Sequence, residues 1–208
     1  MISLILSETK RSLEYLKQIT KNDIKIRGIV LYSKKKGIVF QFIHNQKLNN
    51  LLIYLKTGDI NSSILEKKFR SIKSQKNIVS TYPGEIIKNS SLLNWKFLHC
   101  HPGNLPIFKG STTIYYTVIQ NKKICVTLFE MNKKIDSGKI IYKKFFKYPK
   151  NLKDIEKNFD NEIRALTLIS YLKNKKKLKY KLQKKEYMPY YIAHPLIRLI
   201  VINKNCFF

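Results

Sequence analysis

Along the first two-thirds of the chain, short apolar runs alternate with segments whose apolar residues recur every three or four positions. Residues 2–6 form an unbroken apolar run of strand length, and residues 8–19 carry a helical period. Residues 24–32, rich in β-branched side chains, predict a second strand, and 37–44 a third that runs into a loop. A helical period covers 51–71, interrupted near Gly58. Residues 95–101 read as a strand that ends in the turn-rich HPGNLPIFKG, after which Ser111 and Thr112 can cap a helix to about 121. Two more strands, 124–131 and 139–146, precede the best helical pattern, 152–172, with Ile155, Phe159, Ile163, Leu166 and Tyr171 on its apolar side. Strands alternating with helices predict an α/β domain with a largely parallel sheet flanked by helices. It is placed at residues 1–175, with 176–208 as a C-terminal extension packing on it.

Composition changes this picture little, and charge changes it more. The chain has 208 residues, 44% of them hydrophobic, enough for a proper core and too many for a disordered polymer. Its net charge is +28, almost all from lysine, since the arginines are Arg11, Arg27, Arg70, Arg164 and Arg198 alone. Sites that read phosphate by fork geometry favour arginine, so the charge speaks for anionic small molecules and for genome-wide drift rather than for a specific nucleic-acid face. The lysines are spread along the whole chain; the one charge run, KNKKKLKYKLQKK from Lys173, reads as a solvated helix extension. Cys100, Cys125 and Cys206 offer no paired spacing and fit a reducing cytoplasm. No apolar stretch approaches the roughly 20 residues of a membrane span. The terminal PLIRLIVINKNCFF is apolar and basic, and is expected to pack on the body as a strand or helix, with attachment to a membrane surface as the minor reading.

Candidate chemistry concentrates in FLHCHPGNLPIFKGSTT. Alternation along a strand sends His99 and His101 to one face and Cys100 to the other. Pro102 keeps His101 extended. Gly103, Asn104, Pro106 and Gly110 build a tight loop, so both imidazoles lie at the carboxyl end of a strand, where open α/β sheets bind ligands. Further on, Asp136-Ser137-Gly138 joins two strands and, by spacing alone, is a plain turn.

Taken together these residues resemble the folate-dependent formyltransferases, the family of glycinamide ribonucleotide transformylase, methionyl-tRNA formyltransferase and the sugar N-formyltransferases. The family signature runs roughly Asn-x-His-Pro-Ser-x-Leu-Pro-x-(Arg/Lys)-Gly, then a Val-Thr strand and Asp-x-Gly. His101-Pro102-Gly103-Asn104-Leu105-Pro106 with Lys109-Gly110 match the first part; Val126-Thr127 and Asp136-Ser137-Gly138 match the second. Tyr82-Pro83-Gly84-Glu85-Ile86-Ile87 resembles the loop whose backbone receives the pterin ring. The resemblance covers residues 76–146 and implies a Rossmann-like formyltransferase fold, a soluble cytoplasmic enzyme and 10-formyltetrahydrofolate as formyl donor. It implies catalysis by His99, His101 and Asp136: His101 as a protonated or partly protonated donor to the developing oxyanion, Asp136 raising its basicity and moving the amine proton. His99 stands where the family has asparagine, and would put an imidazole in the carboxamide's role. Tyr82, Pro83, Gly84, Ile86 and Ile87 would line the folate, and Pro106, Lys109, Gly110 and Thr112 the acceptor. Cys125 is read as packing, and His194 as structural.

Within the family, length disfavours the tRNA enzyme, and SETKRSLEYL lacks the glycine-rich phosphate loop of the purine enzyme. Ser111–Tyr116 and Tyr190–Pro195 look like short formyltransferase-like proteins of surface-polysaccharide biosynthesis, whose tyrosines could stack on a base or sugar. A nucleotide-linked amino sugar is the expected partner, with a homodimer as the candidate assembly. Three other readings use the same sequence: a 2-His-1-carboxylate metal enzyme built on His99, His101 and Asp136, a catalytically impaired family member, and a basic nucleic-acid-binding protein.

Overall fold

A computed structural model describes residues 1–174 and 181–204. The elements are β1 (Ile2–Ser7), α1 (Lys10–Lys21), β2 (Ile26–Tyr32), α2 (Ile38–Asn45), β3 (Leu52–Leu55), α3 (Ser63–Ile72), β4 (Lys76–Ser80), α4 (Ser90–Leu93), β5 (Phe97–His101), α5 (Thr113–Ile119), β6 (Ile124–Glu130), β7 (Ile140–Phe146), α6 (Asp160–Lys173) and α7 (Pro195–Ile202). The strands follow the order β3-β2-β1-β4-β5-β6-β7. Pairs β1–β2, β1–β4, β2–β3 and β4–β5 are parallel, and β7 runs antiparallel to β6. The expected α/β architecture with a largely parallel sheet is thus observed.

Two compact units make up the chain: residues 1–99 with 130–133, and residues 100–129 with 134–208. In the first, all six residues of β1 are buried, which is why its sequence reads as a continuous apolar run rather than an alternating one. Its core gathers Ile5, Val30, Tyr32, Leu65, Phe69, Val79 and Phe97. Thr9 caps α1 by accepting from the Ser12 N–H at 3.2 Å.

Residues 37–44, expected as a strand, form helix α2 instead. The cause is a distant carboxylate: Glu8 accepts from the backbone N–H groups of Gly37, Val39 and Phe40 at 2.9–3.0 Å. Those donors would otherwise be orphans at a helix start, where a negative charge is favoured. The helical expectation for 51–71 is also corrected, because Leu52–Leu55 extends the sheet edge beside β2 and the helix starts only at Ser63. In the second unit, the 152–172 helix is found as a 3₁₀ turn, a π turn and α6. Leu166, expected on its apolar side, is 40% exposed, while Leu168 and Ile169 are buried. Of the lysine run 173–185, residues 175–180 lie outside the described residues; the rest does not extend the helix as expected, because α6 ends at Lys173 and 181–185 are non-helical, Lys181 bridging to Ile140.

Candidate active site

The loop after β5 is held from every side within its own unit. Thr113 Oγ1 donates to Pro102 O and Thr127 Oγ1 to Gly103 O, each at 2.6 Å, and Leu105 N–H donates back to Thr127 Oγ1 at 3.2 Å. Lys143 Nζ donates to Asn104 Oδ1 at 2.6 Å and to Leu105 O at 2.5 Å, and its half-burial pushes its pKa down. Beneath the loop, Arg164 donates from Nη1 to Cys100 O and from Nε to Asp160, both at 2.9 Å. A Cβ at Gly103 would lie 2.1 Å from Phe108 O and 2.6 Å from His101 Nε2, so only glycine fits. Cys125 is buried with its thiol pushed up to about 11, mainly by burial, which leaves it inert.

This tight loop fixes His101, which is 3% exposed. Its Nδ1 lies 3.4 Å from Asp136 Oδ2 and its Nε2 2.7 Å from Phe108 O. Asp136 sits at φ +46 and also accepts from Gly110 N–H at 2.8 Å. The two partners make opposing demands. Both ring nitrogens face acceptors, which favours imidazolium; burial favours the neutral ring. Burial dominates and holds His101 below the ordinary histidine range, although Asp136 pulls it upward. A neutral ring donating from Nε2 turns the lone pair of Nδ1 toward the carboxylate. One added proton converts that unfavourable contact into a charge-assisted one. The arrangement is a receptor for a single proton.

The chain's later segment clamps this loop, which the sequence did not announce. Tyr190 N–H donates to Lys109 O and its carbonyl accepts from Ser111 N–H, both at 2.8 Å. Gly110, at φ +97, would place a Cβ 2.3 Å from Tyr190 O. The Tyr190 ring packs on Phe108 at 5.7 Å and on Tyr116 at 4.4 Å, so it stacks within the protein. Gln183 Nε2 donates to Asp136 O and Gly138 O at 3.0 and 2.8 Å, holding the carboxylate's turn. Lys109 is buried with Nζ at 3.2 Å from Ser137 Oγ. Thr112 occupies the start of α5 but does not cap it; it sits at φ +48, and its hydroxyl accepts from Ala193 N–H at 2.8 Å. Pro106 is half-buried in the loop. His194 caps α7, accepting from Leu196 N–H at 3.2 Å, a structural role.

In the other unit, His99 is half-buried with Nδ1 3.3 Å from Val79 O. Residues 82–87 form a turn fastened by Glu85, which accepts from Tyr82 N–H at 2.8 Å and from the Tyr32 hydroxyl. Burial, with the Glu85 carboxylate, pushes the Tyr32 phenol well above its usual value. Asn61 ties the far side, donating to Ile86 O at 3.1 Å and accepting from Lys88 N–H at 2.7 Å. Ile87 is buried and Ile86 exposed, and a Cβ at Gly84 would meet nothing within 4 Å, so the turn is open there. Pro83 sits exposed beside it. Among the described residues no group of three or more His, Cys, Asp or Glu side chains is placed to hold a metal ion, so the donor set needed by the metal reading is not assembled.

No protein-family model and no curated protein matches the sequence. Solved structures do. An N-formyltransferase from Helicobacter canadensis, in complex with folinic acid and dTDP-3-aminofucose, superposes with a TM-score of 0.61 at 18% identity, covering 92% of this chain and 71% of that one. A methionyl-tRNA formyltransferase from Clostridium thermocellum gives 0.61 at 14%, covering 94% and 74%. A phosphoribosylglycinamide formyltransferase from Bacillus halodurans gives 0.59 at 15%, covering 85% and 97%. Proteins named for three different acceptors fit about equally well, so the likeness fixes the scaffold and leaves the acceptor open. The chain has the fold of the formyltransferases.

Proposed function

We propose that this protein is a formyltransferase that moves a formyl group from 10-formyltetrahydrofolate to the amine of a nucleotide-linked amino sugar. The observation that carries the reading is the His101–Asp136 pair, 3.4 Å apart after β5 and held by a loop that admits no side chain at Gly103. Formyl transfer needs such a pair: the amine nitrogen attacks the formyl carbon, an oxyanion develops, and the amine must lose one proton as the bond to the folate nitrogen breaks. Asp136 and the neutral His101 ring together accept that proton and return it to the leaving nitrogen. Because Nε2 already donates to Phe108 O, His101 serves here as the proton site, and the oxyanion donor is assigned to His99. The open turn at Gly84 suits a flat ring laid against backbone. The sugar branch is favoured because SETKRSLEYL lacks the glycine-rich phosphate loop expected of the purine enzyme. Solved neighbours of that branch hold molecules of the proposed kind, folinic acid with dTDP-3-aminofucose in one and tetrahydrofolate with a UDP-linked formamido sugar in another.

The test is incubation with 10-formyltetrahydrofolate and a panel of nucleotide-linked amino sugars, with mass spectrometry for a gain of one formyl group. Product with an amino sugar supports the reading; product with glycinamide ribonucleotide alone, or none with any amine, overturns it.

A further inference from the structure

We propose that the outer face of α7, with the segment leading into it, docks the protein onto an anionic lipid surface. The helix PLIRLIVI is apolar on nearly every side, yet only one side is covered. Val201 is buried, with Ile197 and Ile202 half-buried beside it. Leu196, Leu199 and Ile200, spaced to share the opposite face, are exposed, as are Met188, Tyr191 and Ile192 just before the helix; these six side chains are 51–82% exposed. A helix apolar all round is normally buried, and a contiguous exposed apolar patch marks an interaction surface.

The outward face is not a frayed end. Arg198 turns inward, donating to Ala193 O at 3.0 Å with its guanidinium 5.6 Å from the Tyr115 ring. Lys204 reaches Val118 O at 2.7 Å and also donates to Asn121 Oδ1. Arg198 and, just past the helix, Lys204 thus fasten it to the body while Leu196, Leu199 and Ile200 face water. The Lys204 tie also brings the turn after α5 to the end of α7, where Lys122 and Lys123 are exposed.

Charge selects the occupant. A second copy would bring another +28 chain to the same face, and like charges oppose that approach. A bilayer containing acidic lipids attracts the same field, and its interfacial zone accepts leucine, isoleucine, tyrosine and methionine side chains.

Flotation of the full chain with vesicles tests this. Vesicles of equal parts phosphatidylcholine and phosphatidylglycerol should carry the protein upward, and pure phosphatidylcholine should not. A Leu196→Glu/Leu199→Glu/Ile200→Glu variant should lose about tenfold or more in partitioning, and Lys122→Gln/Lys123→Gln a smaller part. Tyr191→Ser/Ile192→Ser lies outside the helix and should also weaken flotation, which keeps the test decisive should the helix variant misfold by circular dichroism. Equal flotation of the apolar variants and the parent would mean adsorption by charge alone and would overturn the proposal. So would light scattering showing a dimeric parent and monomeric apolar variants, since a second copy would then cover the face.

Discussion

The two units handle their carboxylates differently. In the first, Glu8 accepts from three backbone N–H groups, and Glu85 from Tyr82 N–H and the Tyr32 hydroxyl. Every partner there is a donor that holds its proton, so these carboxylates shape a helix start and a turn. In the second, Asp136 receives one backbone N–H and then faces an imidazole at 3.4 Å, whose own protonation is disputed between burial and charge. A carboxylate becomes chemically useful where its partner can gain or lose a proton and the fold leaves the question unsettled.

The largest expected effect tests that contrast directly. His101→Ala and Asp136→Ala should each lower turnover per folded molecule on the order of 10²–10⁴-fold, a loss beyond the destabilisation expected from unpairing Phe108 O or Gly110 N–H. Glu8→Ala should do the reverse, lowering stability by about 1–3 kcal/mol in urea titration with turnover per folded molecule preserved. If the outcomes are exchanged, the distinction between the two kinds of carboxylate fails.

Gly103→Ala should come next. Its Cβ would displace Phe108 O, the acceptor of His101 Nε2. Loss of about 2–4 kcal/mol in stability is expected, together with loss of product formation, because the loop that orients the imidazole must open. A stable, fully active Gly103→Ala protein would show that His101 does not depend on the loop.

How much of this was legible beforehand depended on whether the cause was local. Strands β1, β2 and β6 announced themselves because burial on both faces leaves an apolar run, while β5 and β7 showed as shorter apolar stretches, β7 being buried only at Ile140 and Ile141. Helix α2 did not, because what stabilises it is Glu8, some thirty positions earlier in the chain. Strand β4, LysAsnIleValSer, is too short and too polar at its start to stand out. At the site, His101 and Asp136 were readable only as a pair of spaced motifs. Gln183 and the backbone of Tyr190 act through contacts made across the fold, which leave no spacing to read. Lys143 was hidden differently: among 41 lysines and arginines, one that is half-buried against Asn104 looks like any other.

A smaller effect concerns protons. Burial holds His101 below the ordinary value near 6.5, so the neutral ring prevails at neutral pH and the acid limb of kcat/KM should fall below about pH 6.5. In the unfolded chain the same ring takes its proton at the ordinary value. Between the folded and unfolded values the unfolded state therefore holds more protons, and this group's contribution to stability declines as pH falls through that window. Asp136→Asn removes the neighbour that pulls the value up, so an NMR titration of His101 should move further to the acid side. A shift to the alkaline side would mean that Asp136 is not what faces Nδ1.

The smallest and most diagnostic change is His99→Asn. A neutral His99 that donates from Nδ1 to Val79 O carries its lone pair on Nε2, and so can donate from Nε2 only as imidazolium. A carboxamide donates from its NH₂ in every protonation state. If the residue's task is to hold the developing oxyanion, asparagine should retain or raise turnover by a few-fold at neutral pH, and His99→Leu should lower it by on the order of 10²–10³-fold. Equal activity in all three proteins would remove His99 from the chemistry and leave the His101–Asp136 pair to act with some other donor, for which Lys143, already turned toward Asn104 and the Leu105 carbonyl, would be the first residue to substitute.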